Sequence, residues 1–354
     1  MTGPNPRWKK RPEGSTWGDW GPDDQLGRMN LVTAEKVKQG IAEVKEGIRF
    51  NLNLPLTLPG GNGLNPRRNP PILSPTKRNE PGYEGAENFN IPLTIQNPLF
   101  TDVVNDDKVE LVLQYSSQWD GFAHVGSQFD LMDNGKPEFC FYNGYRAGYD
   151  IVGPVTYSPE GLVLQSHSHG HIGANKLSVC NLAIHAVQGR GVMVDLEKHF
   201  GREKRHISYS DLKHVMEADN VIVERGDLLF FHTGFAQALI EMNGNPDPHI
   251  LHSICCGLDG RDPELLQWIT DSGVAALISD NYAVEQLPAR DPPGDAAKRP
   301  HASMPLHEHA LFKVGINLGE IWQLTELAVW LREHKRSRFF VTCPGLNLPG
   351  AVGW

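Results

Sequence analysis

The chain has 354 residues, of which 40% are hydrophobic and 21% are charged, an ordinary composition for a folded globular protein. The formal net charge of −9 argues against nucleic acid as a partner, because phosphate binding requires a basic surface. No apolar run approaches the roughly 20 residues that span a bilayer, and the polar, Pro-rich start lacks the apolar core of a signal peptide. We therefore expect a cytoplasmic protein without membrane contact.

The first part of the chain, residues 1–30, reads as a polar N-terminal arm that carries Trp8, Trp17 and Trp20. Tryptophan residues in an arm indicate that it packs on the body of the protein or on a neighbouring subunit. Residues 31–354 then form the main domain. Thr33 is expected to cap a helix that runs to about Glu46 and places four apolar residues on one face, namely Val37, Ile41, Val44 and Ile48.

From residue 108 onward, apolar runs alternate with amphipathic segments. The runs predict buried strands at 109–113, 191–196, 228–233, 274–279 and 338–343. Helices are predicted after Ser210, after Asp262 with Pro263 in the first helical position, and over 324–331. This alternation indicates a single α/β domain.

The segment Gln114–His124 holds two amides, a carboxylate and an imidazole at spacings of 4, 2 and 4. If the preceding strand continues, then Gln114, Gln118 and Asp120 share one face of it. A carboxylate beside an imidazole, as in Asp120 and His124, is common in hydrolases, where one binds a metal and the other moves a proton. A structural hydrogen-bonded pair is the alternative interpretation.

Two further clusters offer metal ligands. His307, Glu308 and His309 could supply imidazole and carboxylate groups to zinc or manganese, or could start a solvent-facing helix. His167, His169 and His171 could also bind metal, or could form a polar loop. The sequence has no Walker or dinucleotide motif and no HExxH or GxSxG motif.

The chain resembles the cyclase family, which includes bacterial kynurenine formamidase and isatin hydrolase. The resemblance extends from about Trp17 to Gly350. It rests on Trp17-Gly18, Gln25-Leu26-Gly27, Phe141-Tyr142-Asn143-Gly144-Tyr145, Val187–Asp195, Gly226-Asp227-Leu228-Leu229, Leu306-His307 and Pro344-Gly345-Leu346. The family signature His-x-Gly-Thr-His-x-Asp-x-Pro-x-His falls on Gln114–His124, so Gln114 and Gln118 replace its two leading histidines.

The resemblance implies that Asp120 binds a divalent metal and that His124 handles protons. It places the further metal ligands on His307 and Glu320. Because amide oxygens are weak ligands for transition metals, three possibilities remain open: one manganese or zinc ion held by Asp120, His307 and Glu320, nitrogen ligands added by His169 and His171, or metal-free catalysis. In the last case His124 is the general base, oriented by Asp120 or Glu320.

The implied activity is hydrolysis of an amide, imide or lactone bond in a small cyclic or aromatic compound. We expect Gln114, Gln118, Trp119, Phe122 and Tyr142 to bind this substrate, with Phe129 beside them. The alternatives are a non-catalytic binder that lost its metal and a metal-free lyase or dehydratase. The resemblance also implies the swivelling β/α fold, in which helices flank a mixed, barrel-like sheet, and a homodimer or homotetramer.

Overall fold

The computed structural model describes residues 7–166 and 172–354. The strands are β1 Ile72–Pro75, β2 Ile91–Pro92, β3 Val103–Val104, β4 Asp107–Glu110, β5 Gln118–Asp120, β6 Ser127–Phe129, β7 Glu138–Cys140, β8 Ile151–Val152, β9 Val155–Tyr157, β10 Val163–Ser166, β11 Gly173–Ala174, β12 Gln188–Asp195, β13 Arg205–Ile207, β14 Leu228–His232, β15 Cys256–Leu258, β16 Ala276–Ser279, β17 Asn317–Glu320 and β18 Arg338–Thr342. The helices are α1 Ala34–Ile41, α2 Cys180–His185, α3 Leu196–Phe200, α4 Tyr209–Ala218, α5 Phe235–Glu241, α6 Pro248–Leu251, α7 Pro263–Ser272, α8 Pro305–His307 and α9 Thr325–Glu333. A π-helix, Glu308–Val314, continues directly from α8.

A six-stranded mixed sheet forms the centre, in the order β18-β12-β14-β16-β17-β5. The four inner strands are parallel to one another, and β18 and β5 run antiparallel at the two edges. Strands β14 and β16 are buried along their whole length, as expected for strands covered on both faces. The predicted α/β class with a mixed sheet flanked by helices is confirmed.

The C-terminal residues cover the edge strand β5. The backbone N–H of Trp354 donates to the Trp119 carbonyl at 2.8 Å, and that of Gly121 donates to the Val352 carbonyl at 2.9 Å. An unpaired sheet edge is a template for aggregation, so this tail protects the strand that carries Asp120.

Side chains at the helix starts explain several boundaries. Thr33 accepts a hydrogen bond from the Lys36 N–H at the start of α1, and Asp262 caps α7 as predicted. The start of α4 lies slightly earlier than predicted, because Ser208 and Asp211 form a reciprocal capping box.

The predicted length of the first helix was wrong. Helix α1 ends at Ile41, and the next residues form turns. Ile41, Val44 and Ile48 are each more than half exposed, at 53%, 55% and 55%. The apolar spacing alone therefore did not indicate burial of these three residues, whereas Val37, on the same predicted face, packs against the core.

The prediction of a buried strand over 109–113 was also wrong, and no strand continues from it into the Gln114–His124 segment. Strand β4 ends at Glu110 and is exposed along its length, since it pairs only with β1 in a two-stranded ribbon. Residues 113–117 form turns and bends, after which β5 begins as a separate, buried strand. Sequence reasoning missed β17, the strand on which β5 pairs.

Residues 7–31 pack on the body of the chain. Trp17 is fully buried, donates from Nε1 to the Phe312 carbonyl at 2.7 Å, and contacts the Phe312 ring edge-on at 5.1 Å. The division into an arm and a domain stays a prediction. Within residues 7–166 and 172–354, no helix combines the length and apolar character that a membrane crossing requires.

Candidate active site

Strands β5 and β17 bring two carboxylates together at the sheet edge. Glu320 lies opposite Gln118 in the antiparallel register, and Asp120 follows Gln118 by two residues. Because side chains alternate along a strand, Gln118 and Asp120 project to the same face. The Asn317 side chain fixes this geometry by donating to the Asp120 carbonyl at 2.9 Å. Gln118 and Asp120 therefore share one face as predicted, whereas Gln114, which was expected on the same face, lies in a turn before β5.

His307 completes the group from the end of helix α8. Its Nε2 atom lies 3.2 Å from Oε1 of Glu320 and 3.8 Å from Oδ2 of Asp120. One ligand atom from each of Asp120, His307 and Glu320 lies within 4.8 Å of the others, and all three residues are buried. These are the three residues that the sequence analysis assigned to a metal.

Glu285 orients His307 and was missed from the sequence. Its Oε1 atom lies 2.7 Å from Nδ1 of His307 and accepts a hydrogen bond from the His307 backbone N–H at 3.0 Å. Its Oε2 atom accepts from the Leu306 N–H at 3.2 Å, so the carboxylate also caps the start of the α8 turn. A carboxylate on one ring nitrogen that leaves the other free is the usual support for a metal-binding histidine. We name Asp120, Glu285, His307 and Glu320 the acidic cluster.

Burial and mutual contact change the proton affinities within the acidic cluster. Burial alone would lower the pKa of His307, but its hydrogen bonds to Glu285 and Glu320 raise it to about 10. Burial, followed by the negative charge of Asp120, raises the pKa of Glu320 to about 7. The cluster therefore concentrates negative charge that a positive partner stabilises, whether that partner is a proton or a cation.

Gln118 occupies the space between the two carboxylates of the sheet edge. Its Nε2 donates to Oδ1 of Asp120 at 3.2 Å and to Oε2 of Glu320 at 3.0 Å. Among the described residues, Oε1 of Gln118 and Oδ2 of Asp120 are buried without a hydrogen-bond partner. Buried oxygens of this kind are costly unless a further group satisfies them. Together with the carboxylate and imidazole donor set, they fit a divalent cation held by Asp120, His307 and Glu320.

Gln114 lies close to Gly353 in the C-terminal tail. Its carbonyl accepts a hydrogen bond from Arg68, and its side-chain Nε2 is buried without a hydrogen-bond partner in the described part of the chain. Gln114 lines the cavity described next, whereas Gln118 is held inside the acidic cluster. The two amides thus occupy different environments.

A cavity of about 860 Å³ opens beside the acidic cluster. His124, His307, Glu320, Tyr282, Gln114 and several residues of the loop 59–68 line it. The His124 side chain is 23% exposed to this space, and its Nε2 lies 3.8 Å from Oδ1 of Asp120, beyond hydrogen-bond distance. Burial lowers the pKa of His124 despite the opposing charge of Asp120. Burial therefore favours the neutral imidazole, the form in which a general base accepts a proton.

The structure does not bring the predicted aromatic residues to this cavity. Trp119 packs edge-on against Trp322 at 5.2 Å, and Phe122 packs against Tyr142 at 4.8 Å. Trp119, Phe122 and Tyr142 are each at most 2% exposed and fill the hydrophobic core. Phe129 packs against Trp17 at 6.0 Å. These aromatic side chains therefore pack in the core next to the site and do not form the expected stacking pocket in this cavity.

The other predicted histidines divide into two groups. His309 turns away from the acidic cluster and lies 2.9 Å from the Thr270 hydroxyl, because neighbouring residues of a helix point to different faces. The Glu308 carboxylate accepts a hydrogen bond from the Ser127 hydroxyl. His167, His169 and His171 lie outside the described residues, so the possible ligands His169 and His171 stay predictions.

Strained backbone flanks two of the carboxylates. Val284 precedes Glu285 with φ of 56°, and Ile321 follows Glu320 with φ of 57°. A β-branched residue with positive φ is a genuine outlier that persists only where the surrounding structure enforces it, and such residues cluster at functional sites. No local sequence signal marks Glu285. Its role in orienting His307 follows only from its hydrogen bonds to residues of α8 in the folded chain.

Comparisons with known proteins agree with this architecture. A family model described as "Putative cyclase" matches residues 56–286, which include Asp120, His124 and Glu285. A crystal structure of a novel cyclase is similar over 100% of this chain and 97% of its own, with 25% identity and a TM-score of 0.68. Isatin hydrolase A from Labrenzia aggregata, solved with benzyl benzoate, is similar over 89% of this chain and 94% of its own, with 10% identity and a TM-score of 0.51.

No curated protein sequence matches the chain. The isatin hydrolase similarity shows the fold alone. The family match covers well over half of the 354 residues and includes the strand β5 on which the acidic cluster is built. The chain therefore belongs to the cyclase family.

Proposed function

We propose that this protein hydrolyses an amide, imide or lactone bond in a small cyclic or aromatic compound with the help of one divalent metal ion. The observation that carries the proposal is the buried convergence of Asp120, His307 and Glu320 beside a cavity whose wall contains His124. A ligand-sized cavity next to titratable groups with shifted pKa values is typical of an active site. Membership of the cyclase family supports the same reaction class.

Asp120, His307 and Glu320 would hold the ion, with Glu285 fixing the orientation of His307. When bound, manganese or zinc polarises a carbonyl and lowers the pKa of water. The two carboxylates make the set richer in oxygen than a typical zinc site, which favours manganese. Gln118 keeps Asp120 and Glu320 apart and at a fixed distance through its two hydrogen bonds.

His124 would carry the proton transfer. In hydrolysis the attacking water gives up a proton as the bond to the acyl carbon forms, and the leaving nitrogen or oxygen gains one as its bond breaks. A neutral imidazole at the cavity wall can take the first proton and return it to the leaving group. Asp120 lies close enough to stabilise the imidazolium that forms between the two steps.

The test is a hydrolysis assay on the purified full chain with isatin, phthalimide, dihydrocoumarin and formanilide as probes, alongside elemental analysis. We expect turnover of at least one probe, a product that gains one water, and a stoichiometric metal. Conversion of a probe to a product that has not gained a water molecule would replace the proposed hydrolase activity by that of a lyase or dehydratase. Saturable binding of these probes without turnover, in protein loaded with manganese or zinc, would indicate a binding protein.

We also propose assembly into a homodimer or homotetramer. The ribbon formed by β1 and β4 and the segment that follows β1 expose large apolar side chains, including Ile72, Leu73, Leu99 and Val109. A region that exposes several large apolar side chains close together in sequence is typical of a surface covered by another chain. Size-exclusion chromatography with light scattering tests this, and a monomer at micromolar concentration would contradict it.

A further inference from the structure

The loop 59–68 places a cationic side chain on the wall of the active-site cavity. Arg68 is half-buried and lines the same cavity as His124, His307 and Glu320. Its guanidinium is held in position by a hydrogen bond from NH1 to the Gln114 carbonyl at 2.7 Å. The loop itself is anchored by Tyr115, whose hydroxyl accepts from the Gly60 N–H at 3.0 Å and donates to the Gly61 carbonyl at 2.9 Å.

Arg68 forms no ion pair with a carboxylate in the described part of the chain. Its charge does act on Glu320: burial and Asp120 raise the pKa of Glu320 to about 7, and Arg68 opposes this rise. Within residues 7–166 and 172–354, its one hydrogen bond to the protein, to the Gln114 carbonyl, uses one of its five N–H groups. An arginine used for stability normally pairs with a carboxylate, whereas the other N–H groups of Arg68 have no hydrogen-bond acceptor among the described residues. Burying that charge in part, without a partner, is unfavourable unless a ligand supplies one.

From this we infer that Arg68 binds a carboxylate group of the substrate, so that the protein acts on an amide, imide or lactone that also bears a carboxylate. The inference rests on the proposed function and adds its substrate class. The planar guanidinium matches a carboxylate through two parallel hydrogen bonds. With a chain charge of −9, an anionic substrate needs such a local cation to approach the site.

The position of Arg68 also gives the substrate an orientation. Arg68 lies in the same cavity as Glu320 and His307, which would hold the ion, so the two ends of one small molecule can meet both groups. A carboxylate fits better than a phosphate ester, because the acidic cluster already concentrates negative charge and a dianion would be repelled more strongly.

The first test is independent of turnover. Benzoate, benzamide and phenyl phosphate are titrated calorimetrically into the full chain and into the variants Arg68→Met, Arg68→Lys and Arg49→Met. Arg49 is exposed and lies away from this cavity, so Arg49→Met removes the same charge as a control. We expect benzoate to bind roughly tenfold or more tightly than benzamide, a preference lost in Arg68→Met, reduced in Arg68→Lys and kept in Arg49→Met.

Melting temperature and metal content are compared for all four proteins, so that a folding defect is separated from a binding defect. Equal binding of benzoate and benzamide, or unchanged benzoate binding in a correctly folded Arg68→Met protein, would overturn the inference. Tighter binding of phenyl phosphate than of benzoate would overturn the assignment to a carboxylate.

The second test uses turnover. Formanilide is compared with 2-, 3- and 4-formamidobenzoate, which keep the same amide bond and add a carboxylate at one of three positions of the aromatic ring. We expect one isomer to exceed formanilide in kcat/KM by roughly tenfold or more, and Arg68→Met to remove this advantage mainly through KM. Hydrolysis of formanilide without any preferred isomer would refute the carboxylate while leaving the proposed function. An Arg68-dependent benzoate preference without hydrolysis of any probe would refute the function while leaving the anion site.

Discussion

The Glu285 carboxylate lies 2.7 Å from Nδ1 of His307 and accepts the backbone N–H of the same residue. One side chain thus fixes both the ring and the backbone of the histidine, and leaves Nε2 directed at Glu320 and Asp120. The acidic cluster is therefore organised by a residue that would not itself hold the ion.

Replacing Glu285 by glutamine should weaken metal binding, because the amide still accepts a hydrogen bond but no longer raises the basicity of the imidazole. We expect roughly 10–100-fold lower affinity for manganese or zinc, measured by competition with a fluorescent chelator. Glu110→Gln, at an exposed position on β4, is the matched control. Unchanged metal affinity in Glu285→Gln would remove Glu285 from this role.

Replacing Gln118 by histidine should increase zinc affinity. The Gln118 Nε2 atom lies 3.2 Å from Asp120 and 3.0 Å from Glu320, so an imidazole there would add a nitrogen ligand to two oxygen ligands. Nitrogen donors are preferred by zinc. Zinc and manganese affinities are compared in the wild type, in Gln118→His and in the exposed control Gln96→His. No gain for zinc in Gln118→His would mean that the ion does not bind between these two carboxylates.

Replacing His124 by alanine should reduce kcat by roughly 10²–10⁴ while leaving metal content unchanged. The reason is that His124 faces the cavity and lies outside the group assigned to the metal. Steady-state kinetics and elemental analysis are measured together, with the exposed His249→Ala variant as control. Full activity in His124→Ala would contradict the assignment of this residue as the general base.

A buried ion pair away from the site predicts a pH-dependent stability. Burial alone would lower the pKa of His232, but the Asp195 carboxylate, 2.8 Å away, raises it above 6.5. A raised histidine pKa stabilises the folded state fully below pH 6.5 and loses that contribution as the pH rises through the folded value.

The pKa of Asp195 is lowered in turn, against the effect of burial, by His232 and Arg332. Its contribution is therefore present above pH 3.8 and is lost as the pH falls through its lowered value. Replacing His232 by glutamine should lower the free energy of unfolding by roughly 1–3 kcal/mol near pH 6 and by less near pH 9. Urea unfolding at both pH values measures the difference, and an equal loss at the two values would contradict the charged pair.

The amino-acid sequence by itself predicted four strands of the central sheet and three members of the candidate site. The strands β12, β14, β16 and β18 are marked by continuous apolar runs, and Asp120, His307 and Glu320 are indicated by the resemblance to the cyclase family. An apolar run and a match to a family motif can both be read from the sequence alone, so neither requires knowledge of the tertiary contacts. Side-chain alternation on β5 correctly placed Gln118 and Asp120 on one face.

Only the tertiary structure decided which polar residues surround the candidate site and which aromatic residues pack in the core. Glu285 and Arg68 come from segments far apart in the chain and carry no local signature, whereas Trp119, Phe122 and Tyr142 have the composition of a stacking pocket but are buried in the core. The physical reason is that burial and convergence depend on contacts between distant segments. The sequence can suggest which residues are possible ligands. The pairing of β5 with β17 and the position of His307 at the end of α8 bring those residues together.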